Sequence, residues 1–378
     1  GVGTAPSIGM RKGVVIDVDE TVSAISSALE QVERVSGIRP DRVTISVNGS
    51  QISSLNSKGV IAVGRADGEI SAEDVGRVIE AAQAVSIPTN REIIHVIPRI
   101  FTVDGQEGIK DPVGMSGVRL EAETHIITGS SPIIKNLTRC VFQAGLDIEE
   151  LVLSPLAAAR SSLGKRQREL GSVLIDIGGG TTGVSVFEEG DVLYTGILPV
   201  GAGHVTNDIA IGLRTSLEAA EQIKLEYGYA RSEGVSEKEK IRFVHEETGE
   251  TVEATKRQVA EIIEARLEEI FKMVRAELKK VGRDALLPAG AVLTGGGAKL
   301  AGIVELAKEE LRLPVSIGTP QASRGLTEQL EAPRSAPAVG LLLWASDAIE
   351  PGHIQAAGRE IGGESLSRAK RWLKNFLP

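Results

Sequence analysis

Residues 173–182 of the chain read Val173-Leu-Ile-Asp-Ile-Gly-Gly-Gly-Thr-Thr182. The apolar residues around Asp176 indicate a buried strand with the carboxylate near its end. The glycines that follow lack side chains that would hold backbone N–H groups away from an anion, and two hydroxyls come next. The stretch therefore predicts a phosphate-binding loop made of Gly178, Gly179, Gly180, Thr181 and Thr182.

The residues after this loop show which classes of phosphate-binding fold it can belong to. Residues 183–187 and 192–197 have strand character and are joined by a turn at 188–191, so the loop runs into a β-hairpin. Glycine loops of dinucleotide-binding and P-loop folds run into a helix, which excludes both classes. The alternative is a glycine-rich β-turn beside an incidental aspartate. On the first interpretation Asp176 holds Mg²⁺ through water ligands, because that ion prefers oxygen donors.

Two further glycine turns precede predicted helices. The stretch Ala291-Val-Leu-Thr-Gly-Gly-Gly-Ala298 leads toward a helix over 300–311, and Pro199–Thr206 leads into a helix over 205–212. Helix N-termini present free N–H groups and the positive end of the helix dipole, which favour a phosphate or sugar edge. With the first loop they describe a cleft with glycine walls, to which we assign Gly201, Gly203, Gly295, Gly296 and Gly297.

Glu221 and Lys224 lie three residues apart on a predicted helix over 216–227 and so share one face. In a nucleotide cleft this pair could grip a ribose or flank a purine. The alternative is a solvated ion pair with no ligand.

Composition sets the wider limits. The 378 residues are 42% hydrophobic and only 3% aromatic, and the formal net charge is −9. An acidic chain lacks the basic face that a phosphate-tracking protein needs, so no nucleic-acid partner is expected. Cys140 is the only cysteine, and the five histidines lack the spacing of a helical metal site, so no metal cage of protein ligands is expected. No uninterrupted apolar stretch is long enough for a membrane span.

The first half of the chain alternates helical and strand patterns, which predicts an α/β fold. Its middle part, residues 53–127, is interpreted as a small inserted subdomain, with Glu73 in the capping-box position of its helix. The predicted elements are helices over 21–35, 71–84, 131–145 and 154–162 and strands over 42–47, 60–63, 93–97 and 118–127.

Together these motifs resemble the superfamily of ATP-binding folds shared by actin, chaperone ATPases and sugar kinases. A finer resemblance is to the FtsA family of actin-like bacterial cell-division proteins, and it covers nearly the whole chain. The stretches that carry it are Gly1-Val-Gly-Thr-Ala-Pro-Ser-Ile-Gly-Met-Arg-Lys-Gly13, His95-Val-Ile-Pro98, Gln106-Glu-Gly-Ile-Lys-Asp-Pro-Val-Gly-Met-Ser-Gly-Val-Arg119 and Ala338-Val-Gly-Leu-Leu342.

The resemblance implies an actin-like fold of two lobes, in which the inserted subdomain replaces the usual small subdomain of lobe one. Lobe two carries a second subdomain of its own, and a linker and an amphipathic helix follow. The expected division is 1–52 and 128–170 for the lobe one core, 53–127 for the insertion, 171–215 and 287–346 for the lobe two core, 216–286 for the lobe two subdomain, 347–363 for the linker and 364–378 for the helix.

The resemblance also implies ATP and Mg²⁺ between the lobes and filament formation on the cytoplasmic face of the cell membrane at the division site. It further implies capture of the FtsZ C-terminal peptide by residues 216–286 and contacts with other division proteins. Residues 178–182 become the second phosphate loop, Glu221 and Lys224 the ribose or base contacts, and 295–297 the adenosine loop. Asp176 handles charge with Mg²⁺. The sequence shows no clear water-activating base, so at most a slow ATPase is expected.

One departure concerns the start of the chain. The family begins with a strand pair that carries a first phosphate loop of the form acidic-x-Gly-Thr, and no such loop precedes Gly1. We therefore expect the first strands of lobe one to lie upstream, in a longer protein.

The last residues carry a separate signal. At about 100° per residue, one helical face from Ser365 to Pro378 is apolar and the other basic. Such a helix is typical of one that lies in an anionic membrane surface, the alternative being a helix that docks on protein. The apolar side holds Leu366, Ala369, Trp372, Leu373, Phe376 and Leu377, and the polar side Arg368, Lys370, Arg371, Lys374 and Asn375.

The resemblance, together with the terminal helix, thus implies an actin-like adaptor that tethers FtsZ filaments to the membrane and recruits the division machinery. The alternatives are an actin-like protein of cell shape or pilus assembly, a sugar-kinase-like phosphotransferase and a chaperone ATPase. A kinase needs an acidic base in a substrate pocket and has no use for the basic terminal helix, and a chaperone needs a further domain after Trp344.

Overall fold

A computed structural model of the chain describes residues 1–64, 67–246, 248–321 and 330–349. Most of the predicted linker, from residue 350 onward, and the whole predicted terminal helix lie outside the described residues.

The segments predicted as lobe one, residues 1–52 and 128–170, begin with a hairpin and a helix. The helix, predicted over 21–35, runs from Val18 to Ser36, because the Asp17 side chain caps its start and Gly37 ends it with a φ of 71°. The short hairpin before it was not predicted. The strand after the helix pairs in parallel with a later one, Asp147–Leu153. The elements before the insertion are β1 Met10–Arg11, β2 Val14–Val15, α1 Val18–Ser36 and β3 Arg42–Val47.

The inserted subdomain is an antiparallel sheet with one helix packed on it. From one edge of the sheet to the other, the strands are β4 Ser53–Ala62, β7 Arg119–Ser130, β5 Arg91–Val103 and β6 Gln106–Ile109. Gly59 lets the helix backbone approach closely, because a Cβ there would lie 2.2 Å from the carbonyl oxygen of Val78. Phe101, Leu120 and Val78 form part of the core between them. The elements are β4 Ser53–Ala62, α2 Ala72–Gln83, β5 Arg91–Val103, β6 Gln106–Ile109 and β7 Arg119–Ser130.

The cap of α2 corrects one prediction. The N-cap is Ser71, whose Oγ accepts a hydrogen bond from the Asp74 N–H at 3.2 Å, while the Ser71 N–H donates to Asp74 Oδ2 at 2.9 Å. Because the helix begins at Ala72, the third helical position is Asp74, and the assignment of Glu73 to the capping box was wrong.

The chain then returns to lobe one. The new helices are α3 Ser131–Gln143, α4 Ser154–Ser162 and α5 Lys165–Leu170, and the strand between α3 and α4 is β8 Asp147–Leu153. Helix α4 is buried almost throughout and packs against the last described helix of the chain. A Cβ on Gly340 would lie 1.7 Å from the carbonyl oxygen of Ala157, so the two helix backbones touch at this glycine.

The segment predicted to begin lobe two, from residue 171, contains a five-stranded sheet. From one edge to the other its strands are β11 Asp191–Leu198, β10 Thr182–Glu188, β9 Ser172–Ile177, β14 Ala291–Thr294 and β15 Val315–Ile317. Strands β9, β10 and β11 are antiparallel, whereas β14 runs parallel to β9 and to β15. The predicted hairpin after the glycine loop is therefore confirmed. The other strands of this part are β12 Lys240–Val244 and β13 Thr251–Thr255, and its helices are α6 Ala202–Leu213, α7 Leu217–Tyr227, α8 Lys256–Lys280 and α9 Ile303–Leu311. The last described helix, α10 Ala336–Ile349, packs on α4 and β3, which belong to the segments predicted as lobe one.

Two features of lobe two differ from the sequence expectation. The charged stretch 231–255 contains the β12–β13 hairpin, which was not predicted although both of its strands alternate polar and apolar residues. The second glycine turn does not run directly into an α-helix: residues Gly296–Lys299 form a 3₁₀ turn, and α9 starts only at Ile303. Gly302, with a φ of 79°, separates the two.

The insertion contacts lobe two through polar side chains. His125 Nε2 lies 3.0 Å from Thr195 Oγ1, and Ser54 Oγ donates to the Thr195 carbonyl oxygen at 2.7 Å. Lys110 forms an ion pair with Asp191 at the tip of the β10–β11 hairpin. The hairpin that follows the glycine loop therefore also supports the insertion.

Candidate functional site

The predicted phosphate loop lies between β9 and β10 and is held by the start of α6. The Gly178 N–H bonds the Thr181 carbonyl oxygen at 2.9 Å, which closes the loop. The N–H groups of Ala202 and Gly203 donate to the carbonyls of Gly178 and Gly179, each at 2.8 Å. These bonds fix the loop carbonyls on the α6 side.

Gly201 and Gly203 have a packing reason to be glycine. A Cβ on Gly201 would lie 2.4 Å from the carbonyl oxygen of Gly178, and one on Gly203 would lie 2.8 Å from that of Gly179. The backbone of α6 could not reach the loop with side chains at these positions. The structure therefore places both glycines against the loop.

The two threonines of the loop have different neighbours. Thr182 is fully buried, and its Oγ1 donates to the Val200 carbonyl oxygen at 2.8 Å. Thr181 Oγ1 accepts a 3.1 Å hydrogen bond from Asn48 Nδ2, which lies just after β3 in lobe one. The loop is therefore in direct contact with both lobes.

Asp176 is the charged group under the loop. Its side chain is buried, and burial raises its pKa from 3.8 to about 6. Strands β9 and β14 pair Asp176 with Thr294, so the carboxylate sits between the two glycine loops. Magnesium is held by carboxylate oxygens together with waters and phosphates, and a buried aspartate at this point fits that chemistry.

The second glycine loop, residues 295–297, touches strand β9 through two of its glycines. A Cβ on Gly295 would lie 2.5 Å from Asp176 Oδ1, and one on Gly297 would lie 2.5 Å from the Ile177 side chain. Gly295 also has a φ of 85°, which disfavours other residues. These two glycines let the second loop pack against the end of β9.

Gly179 and Gly296 differ from the other glycines in the part of the chain that the structure describes. No protein atom lies within 4 Å of a Cβ built on either one, and neither has a positive φ. Apart from Gly76, which is buried within α2, each of the remaining described glycines has a neighbouring atom near its Cβ position or a positive φ. Neither packing nor backbone conformation therefore explains why these two positions are glycine. Both lie in the middle of a predicted ligand loop. The open space fits a group that approaches the backbone closely.

Glu221 and Lys224 form one polar cluster with a residue that sequence reasoning missed. Lys224 Nζ donates to Glu221 Oε2 at 2.6 Å and to Thr206 Oγ1 at 2.8 Å, and the Thr206 hydroxyl also bonds Glu221. Burial raises the pKa of Glu221, but the hydrogen bonds from Lys224 and Thr206 outweigh it and lower that pKa overall. Thr206 of α6 therefore holds the predicted pair of α7 in a fixed arrangement.

Asn48 and Thr206 are the site neighbours that the sequence reasoning did not assign. Thr206 is the last residue of the predicted glycine turn Pro199–Thr206. It lies three residues after Gly203, so helical spacing could have placed it on the same face as that glycine. Asn48 ends a predicted strand, the position at which polar residues of α/β folds face ligands, but only the tertiary fold shows which loop it meets.

Two negative findings concern the described residues alone. No helix among them is long and apolar enough to cross a membrane. Within the same residues, no group of three or more His, Cys, Asp and Glu side chains is positioned to hold a metal ion. The predicted membrane-binding residues, from Leu366 to Leu377, lie outside the described part.

The five-stranded sheet with its hairpin, the two glycine loops at the ends of β9 and β14 and the helix pair α6 and α7 define an actin-like protein. Solved structures agree on the fold. The chain is similar to the PilM-PilN type IV pilus biogenesis complex, with a TM-score of 0.62, 17% identity and coverage of 89% of this chain and 88% of the other. It is also similar to MreB5 of Spiroplasma citri bound to ADP, with a TM-score of 0.56, 13% identity and coverage of 90% and 78%.

Within this class the sequence relationships are specific. Residues 173–340 match the family "Cell division protein FtsA", and residues 49–128 match "SHS2 domain inserted in FTSA". The chain is 38% identical to cell division protein FtsA of Pseudomonas aeruginosa, covering 100% of this chain and 91% of that protein, and 42% identical to that of Bacillus subtilis, covering 85% and 72%. The chain belongs to the FtsA family of cell-division proteins. The family resemblance, the actin-like fold and the inserted domain expected from the sequence are thereby confirmed.

Proposed function

We propose that the chain binds ATP with Mg²⁺ between its lobes. The observation that carries this proposal is the open space at Gly179 and Gly296, one in each glycine loop, on either side of the buried Asp176. In this assignment the phosphate loop holds the phosphates, residues 295–297 approach the adenosine, and the cluster of Glu221, Lys224 and Thr206 contacts the ribose or base. Asp176 orients the Mg²⁺ waters.

The two open glycines give a direct test of ATP binding. An alanine methyl at Gly179 or Gly296 meets no protein atom, so Gly179→Ala and Gly296→Ala should fold with unchanged or slightly raised melting temperatures. The same methyl occupies the proposed ligand space, so ATP affinity should fall about tenfold or more in calorimetric titrations, which corresponds to about 1.4 kcal/mol. Gly164→Ala is the matched control, because a methyl there is tolerated too: it would make only an ordinary contact, 3.6 Å from Gln167 Oε1. Equal ATP affinity in all four proteins would refute the assignment.

At the cellular level we propose that the chain is an adaptor of cell division. It polymerises on the cytoplasmic membrane face, binds the FtsZ C-terminal peptide through residues 216–286 and recruits further division proteins. Membership of the FtsA family supports the division role, and the basic amphipathic pattern of residues 365–378 supports membrane attachment. Many weak anchors on one filament would bind a membrane tightly through effective concentration.

Electron microscopy on lipid monolayers tests this role. With ATP and an anionic monolayer, filaments should form, and an FtsZ C-terminal peptide carried on a visible label should decorate them. A chain ending after Gly363 is the control and should leave the monolayer bare. Filaments that form equally well without residues 364–378 would remove the membrane part of the proposal, and absence of label would remove the FtsZ part.

A further inference from the structure

The turn between β1 and β2 has an unusual residue at its first position. Lys12 and Gly13 connect two antiparallel strands in which Arg11 pairs with Val14, and their φ angles are 50° and 76°. Two-residue hairpin turns with both φ angles positive favour Asn-Gly, and a lysine in the left-handed region is uncommon. The turn itself requires both positive φ angles, as at Glu189–Gly190 in the β10–β11 hairpin, so any function of Lys12 depends on what surrounds it.

The same turn lies against the phosphate loop of the opposite lobe. A Cβ on Gly180 would lie 3.1 Å from the Cα and 3.2 Å from the backbone nitrogen of Lys12. Gly13 in turn lies against the Asn48–Gly49 segment, since a Cβ on Gly13 would lie 2.8 Å from the Gly49 nitrogen. Two segments of lobe one therefore meet the phosphate loop of lobe two.

The charge at this position has no partner among the residues that the structure describes. Lys12 is exposed, and within those residues its ammonium makes neither an ion pair nor a hydrogen bond. A lysine carries a compact positive charge on a flexible four-carbon stem, so it can reach an anion bound beside its backbone. An unpaired cation beside a loop suited to an anion indicates that the two bind the same group.

We propose that Lys12 belongs to the nucleotide site and that its ammonium pairs with the phosphates held by the Gly178–Thr182 loop. This inference rests on the proposed ATP binding and adds a lobe one cation to it. Because Lys12 stands on lobe one and the loop on lobe two, phosphate binding then holds the lobes together. The contribution of Lys12 grows with the charge of the nucleotide and is smallest for AMP.

Calorimetric titration of the full chain with ATP, ADP and AMP in the presence of Mg²⁺ tests the proposal. Lys12→Asn removes the charge and keeps a residue that favours the left-handed region, and Lys12→Gly is a second variant free of backbone strain. Hydrogen bonds to charged groups imply that ATP affinity falls about tenfold to a hundredfold in both variants, while AMP affinity changes by less than about threefold. Lys12→Arg should retain most of the ATP affinity.

Arg11→Gln is the matched control, because it removes the same charge from the neighbouring residue of the hairpin. Its ATP affinity should stay within about twofold of the wild type. If Lys12→Asn and Lys12→Gly bind ATP as the wild type does, or if Arg11→Gln weakens binding equally, the assignment of Lys12 is overturned while ATP binding stands. If the wild-type chain binds none of the three nucleotides, the proposed function fails instead.

Discussion

Asn48 of lobe one donates a 3.1 Å hydrogen bond from Nδ2 to Oγ1 of Thr181 in the phosphate loop of lobe two. The two residues are 133 positions apart in the chain, so the contact exists only because the lobes pack with β3 facing the β9–β10 loop. It makes the conformation of the proposed ligand loop dependent on the position of lobe one.

A double-mutant cycle measures this contact. Asn48→Ala and Thr181→Val should each lower the free energy of unfolding by about 1 kcal/mol, the usual net value of a hydrogen bond. The double variant should lose less than the sum, with a coupling energy of about 0.5–1 kcal/mol in urea unfolding. Strict additivity of the two losses would show that the lobes do not make this contact in solution.

Asp176 should destabilise the nucleotide-free chain at neutral pH. Its folded pKa of about 6 exceeds the ordinary 3.8, so the folded state binds the extra proton and stability falls as pH rises from about 4 to above 6. Asp176→Asn should therefore raise the free energy of unfolding at pH 7.5 by about 1–3 kcal/mol and leave it nearly unchanged at pH 4. Thermal unfolding at both pH values checks this, and an equal effect at the two would contradict the buried, raised-pKa carboxylate.

Asp176→Asn should stabilise the fold but weaken ATP binding in the presence of Mg²⁺. Because an amide cannot replace a carboxylate that orients Mg²⁺ waters, Asp176→Asn should abolish the Mg²⁺ dependence of ATP affinity. Titrations with and without Mg²⁺ give this readout, with Asp208→Asn as a control aspartate on the same lobe.

Thr206 should organise the Glu221–Lys224 pair. Thr206→Val keeps the shape but removes the hydroxyl that donates to Glu221 and accepts from Lys224. One cause of the lowered pKa of Glu221 is thereby lost, so that pKa should rise, as carbon-13 carboxyl titration would show. Adenosine affinity should fall about threefold to tenfold. An unmoved Glu221 pKa would mean that the cluster does not persist in solution.

His125 should make the junction between the insertion and lobe two sensitive to acid. Burial lowers its pKa from 6.5 to about 3, with Arg99 and His95 adding to the effect. The unfolded chain then binds the extra proton between these values, so stability rises with pH up to about 6.5 and is lost as pH falls below it. Between pH 7 and 5 this group alone should cost the wild type about 2 kcal/mol.

Replacing His125 isolates this contribution. His125→Asn lowers stability at pH 7, because bonds to Asn56 and Thr195 are lost, but it should remove the part of the acid destabilisation that His125 causes. Melting temperatures of both proteins at pH 5 and pH 7 give the comparison. Parallel acid dependence would show that His125 titrates normally.

The terminal residues 364–378 should carry membrane binding independently of the fold. Trp372→Glu places a charge on the predicted apolar face, so the chain should stay folded but lose at least about tenfold in affinity for anionic vesicles. Asn375→Gln, on the polar face, is the matched control and should pellet with vesicles as the wild type does. Undiminished pelleting of Trp372→Glu would point to a helix that docks on protein.

Local sequence alone determined the elements that depend on neighbouring residues. The strand, glycine loop and hairpin of residues 173–197 could be predicted because strand periodicity and glycine placement are properties of consecutive positions. Glu221 and Lys224 could be paired because helical spacing fixes which residues share a face. The β12–β13 hairpin was missed although Lys240–Val244 and Thr251–Thr255 each alternate polar and apolar residues. Each alternating segment is only five residues long and lies in a charged stretch, so the strand signal was overlooked.

The tertiary structure decided what each residue of the site does. A glycine in the sequence can serve a positive φ, a tight backbone contact or a ligand, and only the surrounding atoms distinguish Gly201, which packs against the loop, from Gly179, which faces open space. Lys12 and Asn48 reach the phosphate loop from more than a hundred residues away along the chain. Sequence patterns report short-range geometry, whereas the meeting of two lobes depends on how separate hydrophobic cores pack together.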